Sequence, residues 1–410
     1  MIATVARLRP GVPSTLNAFC TTDYPKGSSP RLQGFPNYQK NMLRASFYEG
    51  TLASFRKLNT TTSTQSAFPW TSKNYSSSYF NYYFDEREQH NYQLYSKVPK
   101  DDFTIISTYF STIDDKCSRL FVVDNGVLHY SLITTYVVQD PAIIVFDLPS
   151  NACTNRNYPV LRRIVIPTHL YKIAAGWVYI TLDYQPKGSC DDLFLYIANL
   201  FDYSLIVYDY KRGEFSPIVF ADPSMEPVIA ESDYNFSPEL SWKYFLGIVN
   251  VVLGRQDKDG YRNAYYGPGS SFAEYSVSTK ILKNFKKPYN PNDFHLLGYR
   301  GCNSQTYTQV IDRSLDVIYF TRINSYKGVS CWNMKEPINP DNIGVVFESE
   351  ELHYISSMFL DQDGYLWFHT SHLPYMFLTV APLNISDVNS KTFRVKSSEA
   401  IKGTICDKRT

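Results

Sequence analysis

The residues best suited to bind a small ligand stand where apolar strands end. Asp124 and Asn125 follow the apolar run LFVV, and Asn333 ends the segment SCWN beside Cys331. A carboxylate accepts hydrogen bonds from an ammonium group, and an amide both donates and accepts them. The alternative is that these side chains only bond nearby backbone, as they do in strand-ending turns. The sequence leaves both interpretations open.

Four further residues are weaker candidates of the same kind. They are polar or aromatic residues near the ends of predicted strands: Tyr266, Gln305, Thr321 and His372. His372 lies three residues after His369 in LWFHTSH. Where a strand passes into a loop, residues at this spacing need not point the same way, so the two rings are not expected to share one metal ion. We therefore predict structural or surface histidines here, with His372 also able to face the mouth of a channel.

No catalytic motif stands out. The sequence contains no G-x-S-x-G, no H-E-x-x-H and no G-x-x-x-x-G-K-[ST]. Two D-x-D-G segments, 257–260 and 361–364, lack the remaining ligands of an EF-hand loop and are predicted to form tight turns. No residue is therefore predicted to be catalytic, and no metal or cofactor is expected.

The elements that must position these candidates are predicted to be short β-strands. The chain contains 34 Tyr and 26 Phe, and aromatic side chains pack well on pleated sheets. Only 19% of the residues are charged, which makes long solvated helices improbable. The 23 Pro and 19 Gly punctuate the chain often, as many short strands require.

Five segments share one pattern, an apolar strand followed by a turn and often by a second strand. They are 119–125, 193–210, 264–282, 316–333 and 365–378. Their starts lie roughly 50 to 75 residues apart, as four-stranded propeller blades with loops would be. We predict an all-β chain, residues 1–410, that folds as one β-propeller domain. The run LFLYIAN is predicted to be a strand packed between neighbouring blades.

Other parts of the chain depart from this pattern. Residues 42–92 are rich in Ser, Thr, Tyr and Asn and are predicted to form a surface insertion. A short helix is possible around 168–174. The net charge is +1, and the densest basic cluster, KILKNFKK at 280–287, is typical of a surface turn. Nucleic acid is therefore not an expected partner.

The cysteines and glycosylation sequons indicate an oxidising compartment. The seven cysteines are widely spaced and include no C-x-x-C. Four N-x-[ST] sequons, potential glycosylation sites, start at Asn59, Asn74, Asn235 and Asn384. No apolar run is long enough to cross a membrane. The first ten residues do not resemble a signal peptide, and this conflicts with secretion unless the start of the chain is missing.

Several motifs, in this order, resemble those of the yellow / major royal jelly protein family. They are RLRPGVPSTLN (7–17), CSRLFVVDNG (117–126), PAIIVFDL (141–148), CDDLFLYIANLFDYSLIVYD (190–209), GYRNAYYGPGSSFAEYSVSTKIL (260–282), SCWN (330–333) and GYLWFHTSHLPYMF (364–377). Together they cover nearly the whole chain outside the predicted insertion.

This resemblance implies a secreted six-bladed propeller with two disulfides, Cys117–Cys190 and Cys331–Cys406. Cys20, Cys153 and Cys302 match no family cysteine, and could include one extra pair. In the family a longer segment precedes the motif found here at 4–17. We therefore expect a truncated N-terminus, loss of the signal peptide, and an incomplete first blade.

The resemblance also implies where a ligand would bind and which functions are possible. Ligand-binding relatives use one end of the central channel, which favours a binding role for the polar candidates above. We predict a secreted, non-catalytic protein of pigmentation and melanin synthesis, or a binder of small aromatic amines or catechol-derived ligands. A dopachrome isomerase of melanin synthesis and a storage or signalling protein of the royal-jelly type are the alternatives.

Overall fold

Five sheets arranged as the blades of a β-propeller make up the fold. The computed structural model describes residues 108–128, 136–147, 160–237, 240–324, 327–349, 352, 354–371, 374 and 390–407. The predicted insertion at 42–92 and the N-terminal segment lie outside these residues, as does His372.

The first two blades are four-stranded antiparallel sheets. Blade 1 consists of β1 (Thr108–Asp114), β2 (Arg119–Asp124), β5 (Ala142–Asp147) and β6 (Val160–Val165), and the ribbon of β3 (Val127–Leu128) and β4 (Tyr136–Val137) is inserted in it. Blade 2 consists of β7 (Trp177–Tyr184), β8 (Leu193–Asn199), β9 (Ser204–Asp209) and β10 (Glu214–Phe215).

A separate hairpin of β11 (Asp233–Ser237) and β12 (Leu240–Lys243) follows blade 2 and precedes blade 3. Blade 3 consists of β13 (Val252–Gln256), β14 (Arg262–Tyr266), β15 (Ala273–Ser278) and β16 (Phe294–Tyr299). Blade 4 consists of β17 (Gln309–Asp312), β18 (Val317–Arg322), β19 (Gly328–Asn333) and β20 (Ile343–Glu348). Blade 5 has three described strands, β21 (Ile355–Leu360), β22 (Tyr365–Ser371) and β23 (Ser390–Lys396).

Helices are short, as the low charged content predicts. The described α-helices are α1 (Thr279–Leu282) and α2 (Ser397–Ala400). The 3-10 helices are Thr168–Leu170, Pro223–Met225, Ile229–Glu231, Pro291–Asp293 and Pro340–Asn342. The predicted helix around 168–174 is therefore a single 3-10 turn. Within the described ranges, no helix has the length and apolar composition needed to cross a membrane.

The blade count corrects the sequence prediction. The described residues form five blades, so the expectation of six is wrong for this part of the chain. The five repeated strand segments of the sequence each supply strands to a different blade, and the sixth blade came only from the family resemblance. The predicted incomplete first blade involves residues that lie outside the described part.

The apolar cores lie between adjacent blades. One cluster joins Phe121 and Ile143 of blade 1 to Leu195 and Ile206 of blade 2, all fully buried. Equivalent clusters join blade 3 to blade 4 and blade 4 to blade 5. Residues of β8 pack alternately against blade 1 and blade 3, which explains the continuous apolar run LFLYIAN. This strand is second from the channel, between β7 and β9.

The first strands of the blades surround the central channel. β1 contacts β7, β13 contacts β17, and β17 contacts β21. Their beginnings meet one another, since Phe110 stacks on Tyr179 and the ring of Tyr307 lies 5.3 Å from that of Tyr354. We call the end where these first strands begin the upper mouth and the end where they finish the lower mouth.

Two disulfides confirm the pairing that the family resemblance implied. Cys117–Cys190 joins the β1–β2 turn to the β7–β8 connection, with Cα atoms 5.8 Å apart. Cys331–Cys406 joins β19 to the C-terminal segment, with Cα atoms 6.3 Å apart. Cys302 is disulfide-bonded as well, whereas Cys20 and Cys153 lie outside the described residues.

The two D-x-D-G segments form the predicted turns. The N–H of Gly260 donates to the carbonyl of Asp257, and the N–H of Gly364 donates to that of Asp361. Gly260 and Gly364 have φ values of 86° and 74°, in the left-handed region that glycine adopts without steric cost. Each turn leads into the second strand of its blade.

Candidate ligand-binding site

Five of the predicted binding residues gather at the upper mouth. Asp124 pairs with Thr108 at the start of β1, and Asn125 follows it. Tyr266 and Thr321 lie at the ends of β14 and β18, which run opposite to the first strands. Gln305 lies in the loop that precedes β17. Strand direction therefore places all five near one end of the channel.

Asp124 and Asn125 both make internal hydrogen bonds. Asp124 is fully buried, and its carboxylate accepts from the N–H of Gly126 at 3.0 Å and from Nε2 of Gln139 at 2.7 Å. The side chain of Asn125 bonds both the N–H and the C=O of Trp177, at 2.9 and 3.0 Å. Asn125 thus joins blade 1 to the first residue of β7.

Tyr266 and Thr321 are bonded in a similar way. The hydroxyl of Tyr266 lies 2.5 Å from Oγ of Ser224. Oγ1 of Thr321 accepts from the N–H groups of Tyr307 and Thr308, at 2.9 and 3.1 Å. Both side chains hold the loops that lead to the channel, and a direct contact with ligand stays a prediction for each.

Gln305 fixes the β11–β12 hairpin over blade 4. Its Nε2 donates to the carbonyls of Glu231 and Asp233, at 2.9 and 3.1 Å. Its Oε1 accepts from Nδ2 of Asn324 at 3.0 Å, and Asn324 also accepts from the N–H of Asn235. The hairpin is thereby tied to the β18–β19 connection at the upper mouth.

Asn235, the predicted glycosylation residue in this hairpin, is exposed, whereas the other three predicted glycosylation residues lie outside the described part.

Asn333 lies at the opposite end of the channel. It is the last residue of β19 and pairs with Val317, the first residue of β18. Its Oδ1 accepts from the N–H of Lys335 at 3.1 Å, and its Nδ2 donates to the carbonyl of Cys406 at 3.4 Å. Asn333 is therefore separated from the other described candidates and serves the local structure beside the Cys331–Cys406 disulfide.

Six aromatic rings form a continuous series across the upper mouth, which we call the aromatic ladder. Phe110 stacks on Tyr179 with ring centroids 4.2 Å apart and lies 5.9 Å from Tyr307. Tyr307 and Phe236 both contact Tyr354, and Phe236 stacks on the sixth ring. The ladder consists of Tyr179, Phe110, Tyr307, Tyr354, Phe236 and Tyr234.

The ladder joins elements that are remote in sequence. Phe110 and Tyr179 come from first strands, and Tyr307 and Tyr354 from loops that precede first strands. Tyr179 and Tyr307 are only partly buried, whereas Tyr234 and Tyr354 are buried, so solvent reaches the ladder at the first two residues. Aromatic faces attract cations and stack on flat rings. The sequence revealed only an unusual abundance of Tyr and Phe, and no local motif marks these residues.

A buried ion pair lies behind the upper mouth. Nη1 of Arg300 is 2.5 Å from Oε2 of Glu274, and the same guanidinium donates to the carbonyls of Ser271 and Ala273. Burial raises the pKa of Glu274 to about 7, against the opposing attraction of Arg300. Glu274 is thus an acid that titrates near neutral pH. Its signal in the sequence is a charge at the start of the apolar strand AEYSVS.

His369, one of the two histidines in LWFHTSH, lies inside blade 5 and makes a local contact. His369 is fully buried in β22, where its Nδ1 lies 2.9 Å from Oγ1 of Thr392 and burial lowers its pKa to about 4. It is therefore a neutral structural histidine. In the described part of the chain, no group of three or more His, Cys, Asp or Glu side chains is placed to hold a metal ion.

A separate groove of about 440 Å³ lies on the outer side of blades 1 and 2. It is lined by β6, the 3-10 helix at 168–170 and β10, with Val165, His169 and Phe215 among its residues. None of the predicted binding residues lines this groove, and the aromatic ladder does not extend to it.

Comparisons with known proteins agree with the fold and the motifs. A sequence model of the family described as "Major royal jelly protein" matches residues 106–406. The chain is 32% identical over 304 residues to yellow-related salivary protein M35 of Phlebotomus duboscqi, which covers 73% of each chain. It is 33% identical over 315 residues to yellow-related salivary protein ASP4 of Phlebotomus orientalis, covering 76% of each.

A third relative has an enzymatic name. The chain is 26% identical over 411 residues to L-dopachrome tautomerase yellow-f of Drosophila melanogaster, covering 99% of this chain and 79% of that protein.

Proposed function

Because the chain belongs to the major royal jelly protein family, we propose that it is a secreted, non-catalytic protein of the yellow type. It binds small aromatic amines or catechol-derived ligands at the upper mouth of its channel and acts in pigmentation or in the sequestration of such amines. The observation that carries this proposal is the aromatic ladder, whose partly buried Tyr179 and Tyr307 offer ring faces to a ligand.

The chemistry of an aromatic amine suits this surface. The flat ring of the ligand stacks on tyrosine and phenylalanine, and its ammonium group is attracted to the same ring faces. The hairpin of β11 and β12 packs on Tyr354 through Phe236 and so limits access of water to the ladder. Pockets of this type are mostly apolar, with few polar groups that fix orientation.

Calorimetric titration of the purified chain with serotonin, dopamine and histamine tests the binding. We expect saturable one-to-one binding of at least one of the three amines. Tyr307→Leu should weaken it by roughly five- to tenfold, because a ring contact with a cation contributes about 1 kcal/mol. Phe359→Leu is the matched control, since Phe359 stacks on Trp367 in blade 5, outside the ladder. Absence of binding, or equal losses in both variants, would reject this proposal.

A dopachrome isomerase is the second candidate. Two observations favour it: the likeness to a relative named L-dopachrome tautomerase, and the pKa of about 7 for Glu274, which suits proton transfer near neutral pH. Loss of dopachrome absorbance at a rate proportional to protein concentration, with the rate lowered at least 100-fold in a folded Glu274→Gln variant, would support it. Stoichiometric binding without turnover would exclude it.

A further inference from the structure

A cluster of cationic side chains from blades 3 and 4 surrounds one buried carboxylate near the lower mouth. Asp183, near the end of β7, is fully buried. Its Oδ1 lies 3.1 Å from Nε of Arg262, and its Oδ2 lies 2.6 Å from Nζ of Lys283. Oδ2 also accepts from the hydroxyl of Tyr196 at 2.8 Å. Both oxygens of this carboxylate are therefore already engaged by the protein.

A third cation, Arg313, reaches the same region from blade 4. It follows β17, and its Nε donates to the carbonyl of Leu253 in β13 at 2.7 Å. The neighbouring carboxylate of Asp312 is used by its own turn, where it accepts from the N–H and Oγ of Ser314 at 2.8 and 2.6 Å. Among the described residues, no acidic side chain forms an ion pair with Arg313.

The backbone orients two guanidinium groups at this place. Nη1 of Arg262 donates to the carbonyl of Gly254 at 2.9 Å, and Arg313 is bonded to the adjacent residue, Leu253. Nη2 of Arg262 and both Nη groups of Arg313 have no hydrogen-bond partner in the described part of the protein. Donors fixed in this way lose little conformational entropy when they bind an anion.

The negative charge around Arg313 comes from Asp183 and Asp312, and both carboxylates are already bonded to other groups. The side chain of Arg313 is exposed to solvent, yet the protein around it desolvates the guanidinium and, together with the charge of Arg262, lowers its pKa. The cluster has three cations, Arg262, Lys283 and Arg313, against the two carboxylates of Asp183 and Asp312.

We propose that the lower mouth is a binding site for a small tetrahedral oxyanion, a phosphate, a sulfate or the corresponding group of an organic ester, held by Arg313 and Arg262. The planar fork of a guanidinium matches two oxygens of such an anion. The anion supplies the negative charge that the cluster lacks. This site is separate from the aromatic ladder, which lies at the upper mouth.

Titration with inorganic phosphate at constant ionic strength, followed by calorimetry and by thermal unfolding, tests this site. We expect saturable binding at one site and a rise in the unfolding temperature. Sulfate should compete with phosphate, and acetate at the same concentration should compete poorly because it has one oxygen pair and no tetrahedral geometry.

The variant Arg313→Gln should weaken phosphate binding at least tenfold and leave amine binding unchanged. Arg313→Lys keeps the charge but loses the fork, and should bind with intermediate affinity. Arg212→Gln is the matched control, because Arg212 is an exposed arginine paired with Asp209 in blade 2. Phosphate binding that is not saturable, or that Arg313→Gln and Arg212→Gln change equally, would overturn the proposal.

Discussion

Replacing Glu274 by glutamine is expected to change how the stability of the protein depends on pH. Glu274 and Arg300 are both fully buried, and their carboxylate and guanidinium are 2.5 Å apart. Two effects oppose each other at this pair. Burial disfavours the charged carboxylate, whereas the guanidinium favours it. Burial is the larger effect, and the pKa of Glu274 is raised from 4.5 to about 7.

The sign and size of the effect follow from this pKa. Between pH 4.5 and 7 the folded protein holds a proton on Glu274 that the unfolded chain has released. The free energy of unfolding therefore contains a contribution that is fully present below pH 4.5 and is lost as pH rises through 7. Each unit of pKa difference corresponds to about 1.4 kcal/mol, so the loss between pH 5 and pH 8 is roughly 2 to 3 kcal/mol.

Denaturant unfolding of the original protein and of Glu274→Gln, with the disulfides kept oxidised, measures this contribution. Glutamine does not titrate, so the difference between the two unfolding free energies cancels most other ionisable groups. The variant should gain roughly 2 to 3 kcal/mol relative to the original protein between pH 5 and pH 8. Glu399→Gln is a control, because Glu399 is an exposed residue that pairs with Lys402.

Two results would contradict this reasoning. If the difference in unfolding free energy stays constant with pH, Glu274 does not titrate differently in the folded protein. If the variant instead loses stability relative to the original protein as pH rises, the attraction of Arg300 exceeds the cost of burial. In that case Glu274 is an ordinary ionised carboxylate and a poor candidate for proton transfer at neutral pH.

Three further changes test the contacts that hold the blades together. The double change Cys331→Ser with Cys406→Ser should lower the free energy of unfolding by about 4 kcal/mol in the chain-entropy model, measured by denaturant unfolding, since this bridge spans 75 residues; a loss under about 1 kcal/mol would contradict it. Asn125→Ala should cost roughly 2 to 4 kcal/mol, because it leaves the buried N–H and C=O of Trp177 without their partner, and faster amide exchange at Trp177 checks the cause. Asp183→Asn should cost about 3 to 5 kcal/mol by removing the charge that two cations share, and an unchanged thermal unfolding temperature would refute that estimate.

The sequence predicted much of the local structure because strands and turns are encoded locally. The apolar segment 193–210 became the β8–β9 hairpin, and the D-x-D-G segments became turns. The disulfides Cys117–Cys190 and Cys331–Cys406 followed from the family resemblance and are present. The side chains of Asp124 and Asn333 bond nearby backbone, as in strand-ending turns. Asp124 accepts from the N–H of Gly126, and Asn333 accepts from the N–H of Lys335.

The candidate site was less predictable than the strands. Gln305, Thr321 and Tyr266 lie together at the upper mouth, where the structure uses their polar atoms to hold loops. Asn333 was predicted to be a channel residue of the same kind, and it lies at the lower mouth because β19 runs in the same direction as the first strands. Strand direction within a blade depends on sheet order, which local patterns do not specify.

By itself, the amino-acid sequence determined the all-β class, the repeated strand segments and the abundance of aromatic side chains. Only the tertiary structure decided which rings and charges meet. Phe110 and Tyr307 come from different blades, as do Arg262 and Arg313. The physical reason is that a propeller brings the first strand of each blade to a common axis, so the two mouths are built from residues far apart in the chain. Contacts of that kind depend on the closure of the blades around the axis and leave no periodic signal in the sequence.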